Sequence, residues 1–414
     1  MRLWYLTMWF PAPRETFAAN DVLALVRAGV SVSVHALRGA WPTAERLRRE
    51  YGVGHVPSTT ASRATLLRGL WAALTRPLVT LAALRFIAGL PARSPVHVVK
   101  SLLLLPRALE LYARAEAERP DAVHVFWGHY PALPGWLIKT RLGIPVTMFL
   151  GSYDLLTEYP GSAALARVAD CVFTHARASC GELVALGVPE DKIRVVYRGV
   201  HPDLLGAPAA AKQARRIVSV GALEGPKRMD AVIETFARVQ TRFPDAELVI
   251  CGDGPQRAQL EARAESLGLR NVAFRGYVPQ REVFAEMQRA EVFLFLSCAP
   301  YDRLPNVIKE AIAARCTCVV GTTVGIEELI PGPEHGSVVA EGCWEDAARA
   351  ICAAFAEPER AAVAVARART HLLANFDVDL TMAEYRRVWA ASIAARRRSA
   401  ASFAGAASLH AAAR

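Results

Sequence analysis

The 414-residue sequence predicts an α/β protein built from two doubly wound parallel-sheet domains. Three observations predict it. The length exceeds what one ordinary core fills and suits two domains. Short apolar runs alternate with helix-period segments, as in βαβ units. Those runs form two sets of six, separated by an Ala-rich, periodless stretch at His201–Arg215 that contains GAPAAAKQA.

In the first half, strands are expected near Leu3–Trp9, Ser31–Leu37, Ala122–Trp127, Val146–Leu150, Cys171–Thr174 and Arg194–Tyr197. In the second half they are expected near Arg216–Gly221, Glu247–Cys251, Val272–Arg275, Val292–Leu296, Thr317–Val320 and Ser337–Val339. The first domain is therefore placed at 1–206 and the second at 207–381, with a closing helix at about 382–398 that packs back on the first. That helix is expected over Met382–Ala395, with the Arg396–Arg398 cluster and the Ala/Ser-rich end as a frayed tail.

Hydrophobic residues make up 53% and charged residues 21%, which excludes a disordered chain. The net charge of +10 points to an anionic partner, such as phosphorylated substrates or lipid headgroups, although an Arg- and Ala-rich composition alone gives the same excess. None of the eight cysteines lies in the first 170 residues, and no paired CxxC knuckles exist. Cys316 and Cys318 would share one side of a strand, with no second pair to complete a zinc site, so buried free thiols and no metal are expected. The opening MRLWYLTMWFPAPRETF lacks a long apolar core and a cleavage site and is not read as a signal peptide.

From Tyr51 to Leu109 there is no Asp or Glu, while Arg63, Arg68, Arg76, Arg85, Arg93, Lys100 and Arg107 punctuate Leu-rich stretches. No uncharged run is long enough to cross a bilayer. The pattern suits helices lying on an anionic membrane surface, or else core helices with Arg facing water. The expected location is cytoplasmic, peripheral at the inner face of the cell membrane. Nucleic acid is disfavoured, because the stretch lacks aromatic interleaving for base stacking.

Four patterns in the second half carry chemistry, each at the C-terminal end of a strand, where open α/β sheets bind ligands. In SVGALEGPKRMD a strand ends at Gly221 and a loop brings Lys227 and Arg228, cations suited to phosphate. In VICGDGPQR, Gly252 and Gly254 form a turn that either meets a ligand or simply tightens the chain. VAFRGYVP exposes backbone around Val278 that can meet a nucleobase edge. FLFLSCAPYDRLPNVIKEAIA is the most informative. Asp302 stands in a loop, Pro305 and Asn306 open a helix whose amide end suits a diphosphate, and Glu310 follows within it. Carboxylates suit polyols because each accepts two hydrogen bonds from neighbouring hydroxyls.

In this order the patterns resemble the retaining glycosyltransferases of family 4, which have the GT-B fold. Asp302 and Glu310 fit the family's acidic-x7-acidic signature, Asp302–Val307 looks like its DGLPNV variant, and VGTTVGIEELI looks like the Gly-rich segment after the helix. The likeness covers 216–355 closely. It is weaker in FPAPRETF and around Lys192–Val200.

The resemblance implies two Rossmann-like domains facing each other across a cleft. The second would hold a UDP- or GDP-linked sugar as co-substrate, with no cofactor and no metal. The first would hold a glycan or lipid-linked acceptor. It implies Lys227 for the diphosphate, Glu310 for the ribose and Asp302 for the donor sugar. Backbone amides around Leu304, Pro305, Asn306 and Val307 would contact phosphate or sugar, with Gly221, Arg228, Gly252, Gly254, Val278 and Arg303 nearby. On the acceptor side, Glu15, His129 and Asp154 are candidates. The sequence departs from the family at Ala222, where Arg is usual, and at Phe126 and Gly151, where His is usual. Arg228 or Arg303 is expected to replace the missing cation. Two other readings stay open: a degenerate nucleotide-sugar binder without turnover, and a nucleotide-sugar epimerase.

Overall fold

The computed structural model describes residues 1–12, 16–90, 95–157, 159–200 and 202–412. The chain forms two compact units. The first is Met1–His175 with Ser179–Val196 and Thr381–Arg414, and the second is Ala176–Ala178 with Tyr197–Leu380. The change of unit falls at Val196/Tyr197 and not at the expected 206/207. Residues from Tyr197 onward are tied into the second unit. The Tyr197 hydroxyl donates to Glu328 at 2.9 Å and the Val200 N–H to the Phe376 carbonyl at 2.8 Å.

The first unit carries β1 (Arg2–Thr7), β2 (Ser31–Ala36), β3 (Ser58–Thr59), β4 (Ala122–Phe126), β5 (Val146–Phe149), β6 (Cys171–Thr174) and β7 (Ile193–Val195). All pair in parallel in the order β3-β2-β1-β4-β5-β6-β7. Two-residue β3, with no apolar run to announce it, was not expected. Both faces of the sheet are covered, so the strands read as near-continuous apolar runs. Trp4, Leu6, Val123, Val125 and Met148 face one core. His124 stands on the other side, ringed by Tyr5, Phe173, Tyr385 and Trp389. Its Nδ1 bonds the Thr147 hydroxyl at 3.0 Å, and burial pulls its pKa down to about 3. It is a neutral packing residue.

The closing helix spans Val378–Ala412, longer than expected. It does not fray after Ala395: Arg396 donates to the Leu142 carbonyl at 3.3 Å and extends the docking by a turn. Trp389, fully buried, donates from its indole to the Thr147 hydroxyl at 2.8 Å and so fixes the helix to β5.

The second unit carries β8 (Gln213–Val220), β9 (Glu247–Cys251), β10 (Val272–Gly276), β11 (Ala290–Phe295), β12 (Thr317–Gly321) and β13 (Ser337–Val339), parallel in the order β10-β9-β8-β11-β12-β13. Side chains alternate between two cores. Val218, Phe293, Phe295, Cys318 and Val320 face one, and Ile217, Val292, Leu294 and Val319 the other. Cys316 and Cys318 are buried free thiols on one side of β12.

Candidate functional site

In the second sheet the strand order reverses between β8 and β11. Loops leaving adjacent strands there run to opposite faces and leave a crevice, the usual ligand position in such sheets. Lys227 comes from the loop after β8 and Asp302 from the loop after β11. The two loops are joined: the Cys298 N–H donates to the Pro226 carbonyl at 3.0 Å and the Ser297 hydroxyl to the same carbonyl at 3.2 Å. Lys227 Nζ donates to both Asp302 oxygens, at 2.8 and 2.7 Å, and lies 5.0 Å from the centre of the Tyr301 ring. Ser297 Oγ reaches Asp302 Oδ2 at 2.5 Å. Lys227 and Asp302 keep small exposed tips, 15% and 12% of their side chains. An ammonium has three N–H donors, so two on Asp302 leave one for an anion beside it.

The Asn306–Ala313 helix follows, with Pro305 at its N-cap. Pro305 cannot donate, and its fixed φ sets the chain at the helix entrance. Ahead of it, Leu304 adopts φ 45° and plugs its side chain into the core, and Arg303 is buried. Asn306 Oδ1 accepts from Lys309 Nζ at 3.2 Å, and Val307 is half-buried against the core. Half-buried Glu310 accepts from Gln280 Nε2 at 2.7 Å. Loss of water around its carboxyl pushes the pKa up to about 7, against the pull of the Gln280 bond and of Lys309. Lys309 is wholly buried, donates to the Arg198 carbonyl at 3.1 Å, and is pulled down to about 7 by burial and by Arg198.

The two glycine positions of the β9 loop have a packing role. Gly252 has φ +147°, and a Cβ there would stand 1.9 Å from the Gly221 carbonyl oxygen, so backbone meets backbone. Gly254 approaches Leu223 in the same way. Val278 is half-buried beside the core, while the neighbouring Tyr277 is exposed. Arg228 makes no ion pair with Asp302, though its guanidinium reaches the Cys298 side chain on the same loop as Asp302. Its backbone is left-handed, and its guanidinium turns to Asp230 at 3.1 Å and over the Trp344 ring at 5.2 Å. Ser297 and Gln280 were not foreseen. Ser297 sits inside the informative FLFLSCAPYD run, but nothing in its spacing ties it to Asp302.

In the first unit the order reverses between β1 and β4. Glu15, after β1, lies outside the described residues. His129, after β4, is half-buried, 3.5 Å from Asp154. The Asp154 side chain is fully buried and accepts the N–H groups of Gly128 at 2.8 Å and Gly151 at 2.9 Å. Burial raises its pKa, against His129 and these N–H groups. It fixes the loops that present His129 and has no exposed oxygen for a ligand. Gly151 also has a local reason: a Cβ there would lie 2.4 Å from the Trp127 ring, whose backbone is left-handed at φ 67°.

Two family models match the chain. "Glycosyltransferase Family 4" covers residues 15–204 and "Glycosyl transferases group 1" covers 204–371. Among relatives, the amylovoran biosynthesis glycosyltransferase AmsK of Erwinia amylovora is 26% identical over 83% of this chain and 88% of its own. WcaL of Escherichia coli, named as a colanic acid biosynthesis glycosyltransferase, is 26% identical over 91% of this chain and 96% of its own. Among solved structures, Anabaena HepE in complex with UDP-glucose superposes with a TM-score of 0.67 at 16% identity, over 94% of this chain and all of that one. TarM gives a TM-score of 0.70 at 9% identity over 94% and 98%. With two parallel-sheet α/β units of the GT-B kind and both halves matched, the chain belongs to the family 4, group 1 glycosyltransferases.

Proposed function

We propose that this chain moves a hexosyl unit from a UDP- or GDP-linked sugar to a lipid-linked or polysaccharide acceptor in cell-surface glycan biosynthesis. It does so with retention at the anomeric carbon and without a metal ion. The observation that carries the reading is the cluster at the β8/β11 reversal, where Lys227, Ser297 and Asp302 meet beside the opening of the Asn306–Ala313 helix that bears Glu310. The relatives' names supply the biosynthetic class, and the bound UDP-glucose of HepE the donor class.

In the reaction the bond from the anomeric carbon to the diphosphate oxygen breaks and a bond to the acceptor oxygen forms. The proton of the acceptor hydroxyl passes to the departing diphosphate oxygen. Negative charge gathers on the departing diphosphate. The remaining Lys227 N–H and the amide end of the Asn306–Ala313 helix stabilise it. Asp302 accepts from donor-sugar hydroxyls and Glu310 from the ribose diol. Half-buried His129 stands on the acceptor side. The test is a panel of UDP- and GDP-hexoses incubated with the protein, with and without lipid-linked acceptor, following nucleoside diphosphate release. Release with one donor, and an α-glycoside from an α-linked donor by NMR, is expected. A panel in which no donor is consumed overturns the reading.

A further inference from the structure

Of three helices in the first unit, Arg63–Thr75, Pro77–Ala88 and Pro95–Glu118, the first is packed the wrong way round for water, and the other two bury apolar residues but also expose large ones. In the first helix the inward stripe is Thr65, Gly69 and Ala72, all small. Gly69 lies against the third helix so closely that a Cβ would fall 1.8 Å from the Pro106 carbonyl oxygen. The outward stripe is Leu67, Leu70, Trp71 and Leu74, spaced three and four apart and so on one face. Leu67 is 66% exposed, Trp71 67% and Leu74 77%. Leu78, Leu81 and Leu84 continue the exposed surface on the second helix, and Val96, Val99, Leu102 and Leu103 on the third. A soluble surface tolerates scattered apolar residues, but these eleven large exposed ones on three successive, mutually packed helices are more than scatter.

The charges beside this bank have one sign. Arg63, Arg68, Arg85 and Lys100 are exposed and make no ion pair among the described residues, whereas Arg76 and Arg107 are paired with Glu116 and Glu110. By helical spacing, Arg63 lies four before Leu67, Arg85 four after Leu81, and Lys100 between Val96 and Leu103. Cations therefore stand on or beside the apolar face. Among the described residues no single helix is long and apolar enough to cross a membrane, and the first two helices are bent by 105°. Large apolar side chains outward, a Trp among them, and unpaired cations alongside are the features of helices that lie in a headgroup layer.

We propose that this three-helix face docks on a bilayer surface carrying anionic headgroups, with Leu67, Trp71, Leu74, Leu78 and Leu103 entering the acyl boundary and Arg63, Arg68, Arg85 and Lys100 on the phosphates. Docking of this kind is independent of the donor chemistry, so its test uses no nucleotide sugar.

The full-length protein is floated with phosphatidylcholine vesicles, with and without phosphatidylglycerol, at low and high salt. Wild type floats with phosphatidylglycerol vesicles at low salt, and binding falls about tenfold or more without the anionic lipid. Leu67→Glu/Trp71→Glu/Leu74→Glu abolishes flotation, and Arg68→Gln/Arg85→Gln/Lys100→Gln removes the lipid preference. Both variants keep the wild-type melting temperature, because every altered side chain is exposed. Two results overturn the proposal. One is wild type that stays at the bottom of the gradient with anionic vesicles at low salt. The other is a wild-type dimer by light scattering that becomes monomeric with the triple Glu change, which makes the face a self-association surface.

Discussion

Lys227 Nζ lies within 2.8 Å of both oxygens of Asp302, and that ion pair adds to the bonds from Ser297 and Cys298 to Pro226 in joining the two loops on which the proposed donor site is built. Lys227→Ala leaves the Asp302 carboxylate with Ser297 as its remaining side-chain partner. Turnover is expected to fall about 100- to 1000-fold from the lost charge stabilisation. Stability falls by about 1–3 kcal/mol from the uncompensated acceptor, read by urea denaturation. Glu310 gives a pH signature. In the role proposed for it Glu310 accepts from ribose hydroxyls as the ionised carboxylate, so donor affinity is expected to weaken about tenfold per pH unit below about 7, and Glu310→Gln to flatten the profile while lowering affinity at pH 8. Stability moves the other way. A carboxyl raised from 4.5 to about 7 makes the fold bind more protons than the unfolded chain between those values, so stability drops as pH climbs through that window. Glu310→Gln removes the penalty and raises stability at pH 8 by on the order of 2 kcal/mol, read by thermal melting. The positions of Lys227 and Asp302 on the loops after β8 and β11, and of Glu310 on the helix that follows, were legible in the sequence because each sits at a fixed place relative to a strand end or helix start. Ser297 and Gln280 were not, because their contacts come from loops folding together across the chain.

At the scale of elements, twelve of the thirteen strands among the described residues were legible to within three residues at each end, β3 being the exception, since strands buried on both faces write themselves as apolar runs. The closing helix was legible in its first half only. Its later Ala-rich sequence has no periodic face, yet alanine is the strongest helix former, and Arg396 finds the Leu142 carbonyl. The anchor of this helix is Trp389. Trp389→Ala removes a fully buried indole and leaves Thr147 without that donor. A loss of about 3–5 kcal/mol is expected by urea denaturation. The substitution lies in the first unit, so the intrinsic affinity of the second unit for nucleotide is expected to stay unchanged by calorimetry while the protein is folded. The Gly252–Gly221 and Gly151–Trp127 approaches show why motif reading stops short at glycines. A sequence shows that a side chain is missing, and only the fold shows what fills its place.

For the whole molecule, two sheets of seven and six parallel strands, each reversing order once, put the polar loops at the strand ends of both units. The two-unit plan followed from length and from the repeated strand and helix rhythm. The crossing point at Val196/Tyr197 did not, because it depends on hydrogen bonds from Tyr197 and Val200 to residues far along the chain. The acid-free stretch at 51–109 was visible as composition. Which stripe faces outward was not, because an apolar period does not say which side is buried. The measurement that goes most directly to the centre is isothermal titration of UDP- and GDP-sugars into wild type, Asp302→Ala and Glu310→Ala. One nucleotide sugar is expected to bind wild type, with binding lost in Glu310→Ala and sugar discrimination lost in Asp302→Ala. Unaltered affinity and selectivity in both variants, or no binding to wild type by any nucleotide sugar, would contradict the assignment.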